Sequence, residues 1–202
     1  MIQRLIQQEL AVSLSANPAA TLIGPRQCGK TTLAKSLGGV YFDLEQESDR
    51  ARLEYEWDRL MKGKELLILD EAQNLPIVFN RLRGDIDADR KRMGRFLLLG
   101  SVSPVLMTHV SESLAGRLAL HELTPFLWPE LPAEARGQLW LVGGYPDGGV
   151  INTPTALAPG GFPRWQRHYL SVLTQRDLPH WGLTALPQVT DRLLRMLAAL
   201  HG

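Results

Sequence analysis

Cysteine is almost missing from this sequence: Cys28 stands alone among 202 residues. One thiol cannot build an intrachain disulfide framework or a Cys-based zinc finger, and its solitude fits a reducing compartment. An excess of charge of one sign is missing too, since 22 Lys and Arg face 21 Asp and Glu, for a net charge of +1. The molecule as a whole therefore lacks the basic surplus of a nucleic-acid or anionic-membrane binder, and any such contact must be local. Nowhere do ~18 uninterrupted apolar residues occur, and MIQRLIQQELAVSL has no long apolar stretch behind its first basic residue. These absences predict a cytoplasmic protein with no membrane partner. His109, His121, His168, His180 and His201 fall at no metal-ligand spacing such as H-E-x-x-H, so none is assigned to zinc.

What is present reads as a folded chain: 45% apolar and 21% charged residues, long enough for a sizeable core. Ile2, Leu5, Ile6, Leu10 and Leu14 recur at helical spacing and predict an amphipathic first helix. The short apolar run Ala19 to Ile23 predicts a buried strand, and Lys30 to Leu37 a helix ended by Gly38 and Gly39. Further strands are expected at Val40 to Leu44, Leu66 to Leu69, Phe96 to Leu99 and Leu118 to Leu123. Helices are expected over Glu45 to Lys62 and after Pro76. Continuously apolar strands alternating with helices predict an α/β fold with a parallel sheet covered on both faces. From Leu131 glycine and proline crowd the sequence, and two more helices are expected at Trp165 to Leu178 and Val189 to Leu200. The reading divides the chain into a core, 1–130, and a Gly/Pro-rich connection with a helical appendage, 131–202. Trp57, Trp128, Trp140, Trp165 and Trp181 are read as core or interface anchors.

Between the first strand and its helix lies Gly24-Pro25-Arg26-Gln27-Cys28-Gly29-Lys30-Thr31, which matches G-x-x-x-x-G-K-[ST]. Glycines at both ends let the backbone curl so that successive N–H groups converge on phosphate oxygens. Lys30 is expected at the β and γ phosphates, Thr31 on Mg²⁺ and Thr32 near the α phosphate, with Cys28 a small filler. An independent signal follows: the apolar strand Leu66 to Leu69 runs into Asp70-Glu71. Asp70 is the candidate for the Mg²⁺ shell, and Glu71 for the general base that polarises water. Ser101, just past the strand Phe96 to Leu99, is the candidate γ-phosphate sensor. ATP and Mg²⁺ are the cofactors these residues predict.

The Lys-Thr loop, the Asp-Glu strand and the sensor strand, in that order, resemble the AAA+ ATPases. GPRQ-x-GKTTLAK, YFDLE, LILDEAQ, LLLGS, ESLAGR followed by ELTPF, W-x-x-GGYP and the stretch ending in RDLP resemble one prokaryotic family of that class over about residues 1–180. The resemblance implies a P-loop three-layer sandwich of about five strands, with the Lys30 strand beside the sensor strand and the Asp70 strand next. It implies Mg-dependent ATP hydrolysis coupled to a conformational task, and a role for Arg117 in ESLAGR at a γ phosphate of its own or a neighbouring subunit. Arg176 is a second candidate for that role, and a homo-oligomer would supply the neighbour. Members usually continue into a C-terminal domain of unknown function, so the sequence resembles the ATPase core alone.

Two other readings stay open. A small-molecule P-loop kinase shares the loop, although Asp70-Glu71 favours activated water over an activated substrate hydroxyl. A DNA-associated, nucleotide-switched module draws on Arg81, Arg83, Arg90, Lys91, Arg92 and Arg95, interrupted by Asp85, Asp87 and Asp89. A GTPase is disfavoured, since no Asn-Lys-x-Asp occurs and Gln73 stands where a glycine would follow the metal aspartate.

Overall fold

The computed structural model describes residues 2–101, 108, 112–152 and 154–201; His109 lies outside them. The chain divides into two compact units, Met1–Pro132 and Ala133–Gly202.

In the first unit the expected elements form with small shifts of their ends: α1 Ile6–Ala16, β1 Ala19–Ile23, α2 Lys30–Ser36, β2 Val40–Asp43, α3 Glu47–Lys62, β3 Leu67–Asp70, α4 Ile77–Ala88, β4 Phe96–Gly100 and β5 Leu118–Glu122. The strands make one sheet in the order β2-β3-β4-β1-β5, with every neighbouring pair parallel. This is the strand order expected above, with β4 between β1 and β3. The apolar runs go where their composition sends them. Every residue of β1, β3 and β4 is buried, whereas the outer strands β2 and β5 are mostly half-buried or exposed.

Helices α3 and α4 close one face through Leu53, Trp57, Leu60, Val78, Phe79, Leu82 and Ile86, which join Phe42, Leu67, Leu69, Phe96 and Leu98 in one core cluster. Their spacing of three and four residues puts each set on a single helix side. Leu10 and Leu14 are the buried residues of α1, which packs near β1 and β5. No helix among the described residues is long and apolar enough to cross a membrane.

The second unit is helical. Short helices at Ala133–Arg136, Leu139–Val142 and Pro154–Leu157 punctuate the glycine- and proline-rich stretch. A helix at Gly161–Val172 widens into a π-helical turn over Leu173–Asp177, and Pro187–His201 forms the last helix. Tyr145, Trp165 and Tyr169 stack at centroid distances of 4.9 to 5.3 Å, and the two tyrosine hydroxyls share a 2.9 Å hydrogen bond. Arg176 belongs to the π-helical turn.

One turn shows how tightly the sheet is joined. Gly39 has φ 108°, and a Cβ there would stand 2.3 Å from Leu66 O, the oxygen that accepts the Val40 amide at 2.8 Å. Gly38, φ 76°, faces open space. Gly38→Ala should therefore cost about 1 kcal/mol from its backbone conformation alone. Gly39→Ala should cost about 3 kcal/mol or more, because a backbone clash adds to the strain. Urea midpoints of the two variants against the wild type check the ordering.

Candidate functional site

In a parallel sheet all strand C-termini share one edge, and this is where the chemistry-bearing residues collect. The loop 24–29 leaves β1 and feeds α2, Asp70 ends β3, and Ser101 follows β4 between them. Gly24 has no room for a side chain, since a Cβ would sit 2.3 Å from Leu123 O. Gly29 takes a left-handed conformation, φ 101° and ψ 20°, as it turns into α2. Gln27 also has a positive φ of 62°, a conformation that costs a non-glycine residue about 1 kcal/mol or more. Pro25 and Arg26 are half-buried, and Thr32 is exposed on the first turn of α2.

Lys30 is 7% exposed, and its Nζ donates to Gly24 O at 2.8 Å and Pro25 O at 2.9 Å, drawing the loop into a ring around the ammonium. Cys28 is fully buried, and burial pushes its thiol pKa up, so it is a packed filler and not a thiolate. Thr31 Oγ1 donates to Asp70 Oδ2 at 2.6 Å, which links the loop to β3 across β4. The same carboxylate oxygen accepts from Tyr41 Oη at 2.8 Å. Burial, and then the hydrogen bond to Asp70, push the Tyr41 phenol pKa up, so Tyr41 stays the donor. Glu71 stands in the left-handed region, φ 50° and ψ 47°, half-buried. Its amide donates to Asp70 Oδ1 at 3.0 Å, and its carboxylate accepts from Gln73 Nε2. Ser101 is 3% exposed, and its Oγ has no hydrogen-bond partner among the described residues.

The remaining candidate lies elsewhere. Leu118 is in register with Ala19, so Arg117 stands at the N-terminal edge of the sheet. Four residues of strand, about 13 Å, separate that level from the end of β1, where the loop begins. There Arg117 forms a fork to Asp87 at the end of α4, Nε to Oδ1 at 3.0 Å and Nη2 to Oδ2 at 2.9 Å. Arg90 donates to Asp87 Oδ1 as well.

Two participants at the loop carried no sequence motif. Arg4 is 6% exposed and reaches three acceptors: Glu130 Oε1 with Nε at 3.1 Å, Cys28 O with Nη1 at 3.0 Å and Thr124 O with Nη2 at 2.6 Å. Its guanidinium also lies 4.6 Å from the Phe126 ring centroid. Glu130 accepts from the amides of Leu5 and Leu127, each at 2.8 Å. Burial alone would push its carboxyl up, yet the Leu127 amide, Arg4 and the Leu5 amide together hold it below the usual carboxylate range.

With this geometry in hand, comparison with known proteins decides the family. Residues 16–131, more than half of the chain, match the family model described as an AAA domain. The chain belongs to the AAA-domain family. It is 37% identical over 195 residues to uncharacterised proteins of Mycobacterium bovis and Mycobacterium tuberculosis, covering 94% of this chain and 43% of each relative. The chain thus spans less than half the length of these curated relatives. Among solved structures it is similar to a Walker-type ATPase of Pyrococcus abyssi, with a TM-score of 0.58 and 16% identity over 96% of this chain and 77% of that one. That likeness speaks to the fold: a P-loop ATPase core with a five-stranded parallel sheet. AAA-domain membership and the loop on β1 make this an ATPase-type nucleotide-binding core.

The far edge yields a pH-dependent property. The hydrogen bond from Arg117, with Arg90 adding to it, brings the Asp87 pKa down from 3.8 to about 2. A carboxyl lowered in the folded state stabilises the fold above its ordinary pKa and loses that contribution as pH falls through the folded value. An NMR titration of the Asp87 carboxyl carbon should show a midpoint near 2. In Arg117→Ala the midpoint should return toward 3.8.

Proposed function

We propose that this chain is a Mg-dependent ATPase in which the loop 24–31 holds the triphosphate and Glu71 activates water. One observation carries the reading: the Thr31 hydroxyl meets the Asp70 carboxylate at 2.6 Å, and Lys30, the residue before Thr31, is buried with its ammonium on the loop carbonyls of Gly24 and Pro25. Hydroxyl and carboxylate are hard oxygen ligands of the kind Mg²⁺ takes, and an ammonium next to them suits phosphate. Thr31 and Asp70 would hold Mg²⁺, which would supply charge neutralisation at the β and γ oxygens. The Ser101 hydroxyl, just past the intervening strand and without a partner among the described residues, would give a γ oxygen a donor.

Lys30 would exchange two carbonyl acceptors for phosphate oxygens. Glu71 follows Asp70 directly, with its carboxylate oriented by Gln73 and its amide tied to Asp70. A base held beside the metal aspartate suits in-line attack by water. The kinase reading shares the loop, but the Asp70-Glu71 pair suits activated water more than an activated substrate hydroxyl and favours hydrolysis. The basic run gives little to a DNA-binding reading. Arg81 pairs with Glu54 and Arg90 with Asp87. Arg92 donates to Met61 O at 2.8 Å and to Gly63 O, and Arg95, 5% exposed, donates to Asp85 O at 2.6 Å. Those guanidinium groups bind the protein's own acceptors, which leaves fewer cations for a polyanion.

Arg117 suits a γ phosphate of a neighbouring subunit, since the register sets it a strand length from its own loop. There it would stabilise charge on the transferred phosphoryl group.

Isothermal calorimetry with MgATP should register binding by the wild type and none by Lys30→Ala. Glu71→Gln should bind as the wild type does while phosphate release falls at least about a hundredfold. Turnover by Glu71→Gln at the wild-type rate would remove the base assignment. For Arg117, a mixing experiment is decisive. Arg117→Ala, with an intact loop, and Lys30→Ala, with an intact arginine, should each be nearly inactive, and their equimolar mixture should recover turnover. A mixture no more active than its parts would rule out an arginine supplied between chains.

A further inference from the structure

The phosphate loop is held from behind by a residue that lies 24 positions before the carbonyl it grips. Arg4 precedes α1, Thr124 and Glu130 follow β5, and Cys28 belongs to the loop, so three separate segments meet on one guanidinium. The Arg4–Glu130 pair is almost wholly withdrawn from solvent, at 6% and 2% side-chain exposure. A buried ion pair is poor stabilisation by itself, because desolvation consumes most of the Coulombic gain. Its geometric consequence is larger. Peptide units are planar and, among the described residues, trans. The C=O of Cys28 and the N–H of Gly29 belong to one such unit and point in opposite directions. With the Cys28 oxygen fixed on Arg4 Nη1 at 3.0 Å, the Gly29 N–H is aimed away from Arg4.

Gly29 is the residue whose orientation most needs fixing. Its left-handed conformation, φ 101°, is one glycine reaches freely and also leaves freely. The nearest atom to a Cβ placed there is Arg4 Nη1 at 3.7 Å, so the guanidinium packs directly against this turn. Neighbouring carbonyls are already committed: Gly24 O and Pro25 O to Lys30, and Gly29 O to the Leu33 amide at 2.9 Å in α2. The Cys28–Gly29 unit is thereby clamped between α2 on one side and Arg4 on the other.

We propose that Arg4 is a positioning residue for polyphosphate binding: fixed by Glu130 and Thr124 O, its guanidinium holds the Cys28–Gly29 peptide so that the Gly29 amide faces the phosphates. The inference rests on the nucleotide reading above and deepens it. It assigns Arg4 to the phosphate half of the ligand, so diphosphate compounds should feel its loss whether or not they carry a nucleoside.

Arg4→Lys keeps a positive charge for Glu130 but cannot span three acceptors, because an ammonium lacks the planar fork. The probes are MgADP and magnesium pyrophosphate, titrated by calorimetry into wild type and Arg4→Lys, with a thermal melt of each protein without ligand. The expected result is a loss of affinity of about tenfold or more for both probes alike. A shifted Gly29 amide resonance should accompany it. Affinity unchanged for both probes, with only the melting temperature lowered, would overturn the proposal and leave Arg4 a staple of the fold. Loss for MgADP with pyrophosphate binding intact would overturn it too, by placing Arg4 at the nucleoside. Should Arg4→Lys not fold, Glu130→Gln serves, since it removes the countercharge that fixes Arg4 and keeps an acceptor oxygen for one of the two flanking amides, and the same parallel loss is expected. A wild type that binds neither probe would sink the nucleotide reading itself. A binding wild type with an unaffected variant would sink only the role of Arg4.

Discussion

Everything at the candidate site depends on the parallel register of β1, β4 and β3. Because all strands run one way, the residue that follows each buried strand arrives at the same edge, and the order β3-β4-β1 decides who stands beside whom. Asp70 and Thr31 lie 39 positions apart in the chain, yet they meet at 2.6 Å because one ends β3 and the other opens the helix after β1. Were β3 displaced by one residue, the period of two would turn the opposite side chain to the site and Asp70 would leave it. The buried, largely apolar side chains of β1, β3 and β4 make such a slip costly, since these strands are packed on both faces. The core's first service to function is to hold that register.

Around this frame the polar groups restrain one another. Asp70 accepts from Thr31, Tyr41 and the Glu71 amide, so the carboxylate has little freedom to rotate. Glu71 occupies a left-handed conformation that ordinary residues avoid, and Gln73 holds its carboxylate. Backbone strain of about 1 kcal/mol or more survives only where surroundings over-determine the conformation. Here the surroundings are visible: the bond from the Glu71 amide to Asp70 on one side and Gln73 on the other. Gln27 shows the same feature in the loop, so both non-glycine residues with positive φ among the described residues flank the edge where the strands end.

The fold was largely legible because its signals are local. Continuous apolar runs marked β1, β3 and β4, helical spacing marked α3 and α4, and the glycine-lysine pattern marked the loop, each within a window of about a dozen residues. Even the strand order came from the resemblance carried by those local strings. The unread parts are non-local. Nothing within MIQRLIQQEL says that Arg4 will grip Cys28 O, or that its countercharge will be Glu130, 126 positions away. Tyr41 belonged to the motif YFDLE, but only the pairing of β2 with β3 brings its hydroxyl to Asp70. Trp165 to Leu178 reads as plain helix, because nothing in its local composition marks the π-helical turn at Leu173–Asp177. The basic run Arg81 to Arg95 could be weighed in sequence only by its interrupting aspartates, because composition is blind to acceptors such as Met61 O and Asp85 O that folding delivers.

Arg117 shows what a register adds to a motif. In sequence it merely follows the candidate sensor, and a guanidinium there could be imagined at either end of the sheet. Pairing of Leu118 with Ala19 fixes it at the N-terminal edge, with the whole of β1 between it and Gly24. An arginine side chain cannot bridge that span within one subunit while it remains forked to Asp87. Two consequences separate cleanly. If the fork to Asp87 is its whole purpose, Arg117 ties the start of β5 to the end of α4, and its loss is felt in stability alone. If it serves catalysis, Asp87 is the group that holds the guanidinium in place for a second copy, and active sites exist only where chains meet. The register thus converts a question about one residue into a question about assembly, because the two edges of a parallel sheet cannot both be the same site in a single chain.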